Sequence, residues 1–578
     1  MSTAEPAATR ATRRVGWRAA GLLAAGLLGA AYGLRNHRHG SPPEVWPRTV
    51  VQAQRQEAGH AYLAALPAGA PSDHTGPAAS ALFEDGVRIG GSADHAAIRD
   101  LGAGRHSFWQ GTLYLSSSDN SDPRHNGRRY EVAWPSARLG WLELGTRWGG
   151  IALLAATLLL ALCRAAGRRL SRWRPLLLKL SLVPASLALT LGAAELWLRF
   201  RYPFVDNTWP SRFDPGVGFV FEPGSTVAQT NLFDFCVAQR ANSLGFLDRE
   251  VAPRRDGVPR IVVLGDSFVE AVQVPIERKF HVLLEQHLTT RNVAADTVAF
   301  GYSGCGQANQ LAFYERFAEC RPGDLVIALF VINDIANNSA LLEALRNGWH
   351  PEHTPRLFFR RTATGFERQP IDPDWQRHLL PVLAPATGAP ASAWSWSRLY
   401  RWVGASRRWI DGTTMQTWTA TVARRLENLR ANPAHAAALA DWRLPADDDI
   451  DTMTRSIDPP AAFRDAVALT EHAFAELDRR VRSDGARLVV VAAHNAGEPA
   501  VSGHGRAMLP HGSLDHLRPI CDRLQLPLLD LGEAFAAAGV LGAVTFRRDG
   551  HWNATGHAHA AAAIDAWLAK HPELLGGP

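Results

Sequence analysis

The stretch Ile261-Val262-Val263-Leu264-Gly265-Asp266-Ser267-Phe268-Val269-Glu270 decides how the chain is read. Four apolar residues, three of them β-branched, predict a short buried strand. Gly265 permits a sharp turn, Ser267 follows it, and an amphipathic run over 277–289 predicts a helix beyond. A serine at the carboxyl end of a parallel strand stands where open α/β sheets place their chemistry. By itself such a serine is as readily a helix cap or a turn residue. A catalytic role requires that other segments bring it a base, an orienting acid and oxyanion donors.

Outward from this stretch, strands alternate with helices. Strands are predicted at 260–264, 297–304, 324–334, 486–495 and 526–531, and helices at 277–289, 306–319, 461–483, 515–524 and 554–569. The third strand is almost wholly apolar, as burial on both faces requires. The alternation predicts a largely parallel, three-layer α/β domain over 199–578. About 150 residues, 335–485, separate the third and fourth strands and carry Trp349, Trp375, Trp394, Trp396, Trp402, Trp409, Trp418 and Trp442. These are expected to fill a small helical subdomain for the most part, with sugar stacking as the alternative for some. The insertion is well placed to form a lid or substrate wall.

Four predicted sheet exits carry distinctive residues: Gly265-Asp266-Ser267, Gly301-Tyr302-Ser303-Gly304, Ile332-Asn333-Asp334 and Asp549-Gly550-His551. Together they supply a serine nucleophile, a histidine base and an aspartate to orient it. Asp549 and His551 are close enough for one turn to present both. The Gly304 amide, the Asn333 side chain and the Ser267 amide are the candidate oxyanion donors. No G-x-S-x-G elbow surrounds Ser267, so the usual α/β-hydrolase signal is absent.

These blocks resemble the SGNH/GDSL hydrolase superfamily: GDSFVEAVQVP at 265–275, GYSGCG at 301–306, VIND at 331–334 and DGHWNATGH at 549–557. The resemblance covers roughly 215–345 and 485–570, with NSLGF at 242–246 similar to the lead-in of membrane-linked or secreted members. It implies Ser267 as nucleophile, His551 as base, Asp549 as its partner, and Gly304 and Asn333 as oxyanion donors. Two departures stand out. Val331 and Ile332 replace the glycine usual before the asparagine, and D-x-H replaces the commoner D-x-x-H. The D-x-H form resembles the branch acting in cell-surface polysaccharide O-acetylation and deacetylation. Asp266 is expected to orient the turn and Asp334 to be structural.

The first 200 of 578 residues hold three apolar runs, 19–34, 148–163 and 175–198. Three transmembrane helices are expected, the first being either a retained anchor or a cleaved signal peptide. Pro184 is tolerable in a span, and Glu195 is expected at a span end among headgroups. The loop 164–174 carries Arg164, Arg168, Arg169, Arg172 and Arg174 and no acid, so it should stay inside. Residues 36–147, read as a small β-rich segment, and everything after about 199 then lie outside, on the periplasmic side of a cell inner membrane. Net charge is +6, yet acidic residues are interspersed and no basic stripe with interleaved aromatics argues for nucleic acid. Five cysteines lack zinc spacing, and His95, His106 and His125 are too scattered for a ligand set, so neither metal nor cofactor is expected. Cys305 and Cys320 bracket a predicted helix of about 22 Å and should not pair, which leaves Cys236 and Cys521 as partners or all free.

The expected function is a membrane-anchored serine esterase acting on an O-acylated, above all O-acetylated, exported glycan. The alternatives are an O-acyltransferase served by a membrane acyl-donor partner, a lipid or thioester hydrolase, and a non-catalytic glycan-binding scaffold. For the topology, reporter fusions after residue 100 and at the C-terminus should score external, and one near residue 168 internal. A cytoplasmic score at the C-terminus overturns the placement.

Overall fold

Five apolar runs pair into one parallel sheet: β1 (Arg260–Gly265), β2 (Asp296–Gly301), β3 (Leu325–Phe330), β4 (Arg487–Ala492) and β5 (Leu528–Asp530). Their order is β2-β1-β3-β4-β5, every pair parallel. This computed structural model describes residues 48–66, 81–134, 174–380 and 397–575, apart from 90–92, 94, 110–111, 412, 445–447 and 494–500. The chain divides into two units, Phe204–Thr387 with Ala405–Pro578, and Met1–Pro203 with Gly388–Gly404.

Alternation along the strands builds the layers. Val262, Leu264, Phe300, Phe330 and Val490 face one core, closed by α2 (Gln307–Phe313), α3 (Ala461–Ser483) and α4 (Leu514–Leu524). Ile261, Val263, Ala299, Ile327 and Val489 face the other, closed by α1 (Phe280–Thr290), α5 (Leu531–Ala537) and α6 (Ala554–Lys570). With both faces covered, the strands can be apolar throughout. The expected third strand is shorter than its apolar run. It ends at Phe330, and Asp334–Asn337 turns into helix. The second likewise stops at Gly301. The sheet order reverses between β1 and β3, which opens a crevice at their carboxyl ends.

The register sets Gly265 opposite Gly301. A one-turn helix, Ser267–Glu270, lies down on this pair. A Cβ at Gly265 would stand 2.4 Å from Val269 Cγ2, and one at Gly301 would stand 2.7 Å from Glu270 N. Glycine is required here by close approach.

Between β3 and β4 come the helix Ala340–Asn347, the hairpin Phe358–Thr362/Gly365–Gln369, and helices including Thr413–Arg430 and Pro433–Leu439, before α3 returns to the sheet. Trp442 has no exposure, packs edge-on to Phe463 at 5.2 Å and donates its indole N–H to Asp448 O at 3.0 Å. Trp349 is buried too. These two fill the core; Trp394 and Trp396 lie outside the described residues. Cys236, Cys305, Cys320 and Cys521 are all free thiols.

In the N-terminal unit, 48–134 is β-rich, with two four-stranded antiparallel sheets and a helix His95–Leu101 packed on one of them. His95 stacks on Tyr114, His106 is buried beside Phe108, and His125 pairs with Asp122. The expected spans 19–34 and 148–163 lie outside the described residues. The third run forms the helix Arg174–Arg201. Among the described residues no helix is long and apolar enough to cross a membrane. Glu195 departs from the expected headgroup position. It is buried and accepts from Ser397 Oγ at 2.9 Å, from the Arg398 and Leu399 N–H groups at 3.0 and 2.9 Å, and from Arg199 Nε at 2.8 Å. It thereby caps the helix Arg398–Asp411. These capping partners are 202 to 204 residues away in sequence, which is why the contact is not legible there.

Gly301→Ala forces a methyl into the nucleophile turn and should cost about 1–3 kcal/mol. The measurement is the thermal unfolding midpoint, which should fall; an unchanged midpoint speaks against the close approach.

Candidate active site

Ser267 leaves β1 on a turn held by Asp266. The Asp266 carboxylate accepts from Phe268 N–H at 2.9 Å and from Asn333 Nδ2 at 3.1 Å, and lies 3.2 Å from Ser267 Oγ. It is fully buried, and loss of hydration raises its pKa above the usual carboxylate range. The turn closes at Ala271, whose left-handed backbone (φ +43°) returns its N–H to Ser267 O at 2.9 Å.

The other side of the site is the loop before α6. Phe546 N–H donates to His551 O at 2.8 Å and Gly550 N–H to Phe546 O at 3.2 Å, with Gly550 at φ +86°. Buried Trp552 anchors the loop edge-on to Phe268, Phe280 and Phe535, and Asn553 caps α6 through the N–H groups of Thr555 and Gly556. So held, His551 Nε2 stands 2.9 Å from Ser267 Oγ, and Nδ1 stands 2.5 Å from Asp549 Oδ1. In the tautomer that can act as base, Nδ1–H donates to Asp549 and Nε2 accepts from the serine hydroxyl. Burial opposes charge on His551, but the hydrogen bond and the charge of Asp549, with Asp266 and Glu270 farther back, outweigh it and raise the pKa.

The structure therefore brings Ser267, His551 and Asp549 together, and Asn333 beside them. All four line a cleft of about 440 Å³. The expected oxyanion donors fare differently. Both Asn333 Nδ2 hydrogens are engaged, with Asp266 Oδ2 at 3.1 Å and Asn337 Oδ1 at 2.8 Å. Gly304, at φ +72°, is not among the cleft-lining residues, and its carbonyl accepts from Arg356. The Ser267 N–H begins a helical turn, where an amide has no intrahelical acceptor and is free to face a developing oxyanion. Asp334 is fully buried, accepts from Gln307 Nε2 at 2.6 Å, and burial holds its pKa well above the carboxylate range.

Several further residues emerge only from the fold. Gln273 donates to Asp549 Oδ1 at 3.2 Å, and the Phe268 ring lies 4.9 Å from the His551 ring. Arg346, paired with Asp451, forms part of the cleft wall together with Ser513. Gln273 and Phe268 sit in the 265–275 block, but nothing there shows which way they point. Behind the turn, Glu270 is buried and pushed up to about 8 by desolvation, with Ser303 Oγ as its partner. Buried Lys279, brought down to about 7 by desolvation, donates to Glu270 O at 2.5 Å and Leu247 O at 2.6 Å.

No family model and no curated protein matches the sequence. Among solved structures, the chain is similar over 54% of its length to a crystal structure of TesA (98% of that chain, 11% identity, TM-score 0.25). It is similar over 54% to a member of the lipolytic protein G-D-S-L family from Veillonella parvula (100%, 9%, 0.27). A third likeness, over 54%, is to the acetyl xylan esterase AlAXEase (98%, 11%, 0.26). At such TM-scores the likeness decides nothing about chemistry, which rests on the site geometry.

A base acts only when neutral. Activity should therefore fall as pH drops through the raised His551 pKa, with the acid limb of kcat/KM above the ordinary imidazole value of about 6.5. Asp549→Asn should move that limb down and lower kcat by about 10²- to 10⁴-fold. An acid limb that stays in place in this variant excludes Asp549 as the partner of His551.

Proposed function

We propose that the unit holding this cleft is a serine-dependent esterase that removes acyl groups, acetyl first among them, from an exported O-acylated glycan. The observation that carries it is the unbroken relay Ser267–His551–Asp549, at 2.9 and 2.5 Å, opening on the cleft. An isolated serine hydroxyl is a poor nucleophile at neutral pH and needs such a base. His551 takes the Ser267 proton as Oγ attacks the ester carbonyl, and the Ser267 amide is aimed to stabilise the oxyanion. The tetrahedral species collapses, His551 returns the proton to the leaving alkoxide, and an acyl-serine remains. Water, deprotonated by His551, then attacks that ester, releasing the carboxylic acid and restoring Ser267.

A sugar substrate is supported by the polar part of the cleft wall, where Arg346, Asp451, Asn333 and Ser513 offer hydrogen bonds to hydroxyls; Phe268, Val331, Ile332 and Ala493 supply an apolar part for the acyl group. The D-x-H spacing supports the same class. If a sugar hydroxyl replaced water in the second half, the same relay would transfer the acyl group, with a membrane partner supplying it. Attachment to the membrane, with the site on the outer side, is supported by the arginine-rich loop at 164–174 and the apolar runs around it. The exposed side chains of Leu187, Leu189, Leu191, Leu196, Trp197 and Phe200, which lipid would cover, support it too.

Intact-mass analysis after a fluorophosphonate probe should show one adduct, on Ser267, none in Ser267→Ala and far slower labelling in His551→Ala. Hydrolysis of acetylated xylan or a short aryl ester should fall by at least about 10³-fold in either variant, and the double variant should lose little more. Labelling at another serine, or hydrolysis that survives without Ser267, overturns the proposal.

A further inference from the structure

Away from the cleft, the segment between Asn347 and Leu380 gathers side chains of a different chemistry. His353, Asp372 and His378 each present a ligand atom, and the three atoms lie within 4.8 Å of one another. His353 Nδ1 stands 2.6 Å from Asp372 Oδ2. The His353 and His378 rings stack at 3.7 Å between centroids, 13° from parallel. A third imidazole, His350, lies 5.4 Å from the His353 ring. His378 and Asp372 come from a stretch 19 to 25 positions beyond His353, with the hairpin Phe358–Thr362/Gly365–Gln369 intervening, so no short spacing announces the group.

We propose that His353, Asp372 and His378 bind a divalent transition metal of the zinc type, with water or His350 completing the shell. Two imidazoles and a carboxylate form a ligand set that Zn²⁺ accepts in open sites. Zinc at about 2.0–2.2 Å from each ligand needs ligand atoms roughly 3.3 Å apart. The His353–Asp372 pair, at 2.6 Å, is closer than that, so side-chain rotation brings the set to size. The backbone around it is already tied. Asp372 N–H donates to Thr354 O at 2.9 Å, and buried Gln369 donates to Pro351 O at 2.8 Å. Asp372 Oδ1 accepts from Asp374 N–H at 2.7 Å, which orients the carboxylate. The imidazole pair gives the site its selectivity: two nitrogen ligands suit a transition metal, where Ca²⁺ and Mg²⁺ ask for oxygen.

The metal would clamp the loop at 350–354 to the turn at 372–378. Three residues beyond His353, Arg356 donates to the carbonyls of Gly304 and Ser303. The clamp would thus stiffen the support of the second sheet exit, whatever reaction the cleft performs.

The test uses the untagged full-length chain in detergent, stripped with a chelator and titrated with Zn²⁺ alone against a chromophoric competitor. Since the chain has 22 histidines, the result is read as a difference from variants. Wild type should bind one equivalent more than His353→Ala/His378→Ala. His378→Ala or Asp372→Asn alone should weaken that equivalent by at least about tenfold. Zn²⁺ should raise the thermal midpoint of wild type and not that of the double variant. Co²⁺ should give wild type a visible ligand-field spectrum that the double variant lacks. Equal uptake and equal midpoints in wild type and variants would reveal adventitious binding elsewhere and overturn the site. If the double variant fails to fold, His378→Ala decides the matter, because that side chain is exposed.

Discussion

Close approach at one point governs the catalytic half of the molecule. Gly265 and Gly301 end neighbouring strands in register, and Val269 and Glu270 settle onto the space their missing side chains leave. This contact puts Ser267 at the mouth of the sheet crevice. A helical turn alone would not hold it there, since four residues make too few backbone hydrogen bonds to be stable. Packing against the strand ends, and the Asp266 carboxylate bonded to Phe268 N–H, supply what the turn lacks.

Behind the turn the protein buries four ionisable groups: Asp266, Glu270, Lys279 and Asp334. Each charge would be costly there. Desolvation accordingly raises the three acids and lowers the lysine, so the layer is closer to neutral than its residue types suggest. Lys279 spends its hydrogen bonds on the Leu247 and Glu270 carbonyls, which pins the lead-in segment to the end of the nucleophile turn. The same lead-in sends Asp248 to His281 at 2.9 Å and to Ala299 N–H at 2.9 Å. The 242–248 stretch thus holds α1 and β2 in place. The polar side chains behind Ser267 form a hydrogen-bonded layer, and the site depends on its geometry more than on any free charge.

The oxyanion donors illustrate how an assigned role and an observed contact differ. Asn333 stands where its block predicts, at the exit of β3. Its amide hydrogens nevertheless serve Asp266 and Asn337, which links the nucleophile turn to the helical turn after β3. To reach a substrate oxygen, one of these bonds must be exchanged. Gly304 meanwhile gives its carbonyl to Arg356, a residue of the insertion.

Much of this architecture was legible in sequence. Uninterrupted apolar runs of β-branched residues, separated by helical periodicity, determine a parallel sheet covered on both faces; β1 and β2 end at Gly265 and Gly301, whereas β3 stops at Phe330 inside its apolar run. The local blocks marked Ser267, Asn333, Asp549 and His551, because a nucleophile, a base and its acid are particular residue types at particular turns. What sequence could not supply is whatever depends on partners far along the chain. Glu195 reads in sequence as a residue at a span end and caps a helix whose Leu399 N–H it meets across 204 positions. Gln273 reaches Asp549 across 276 positions, and Arg346 meets Asp451 in the cleft wall across 105. His353, Asp372 and His378 carry no short spacing in sequence and meet only because a hairpin folds between them. Strand and turn propensities act over a few residues and are written locally. The direction of a side chain, and the polar atom it meets, is set by packing among segments that only the folded chain brings together.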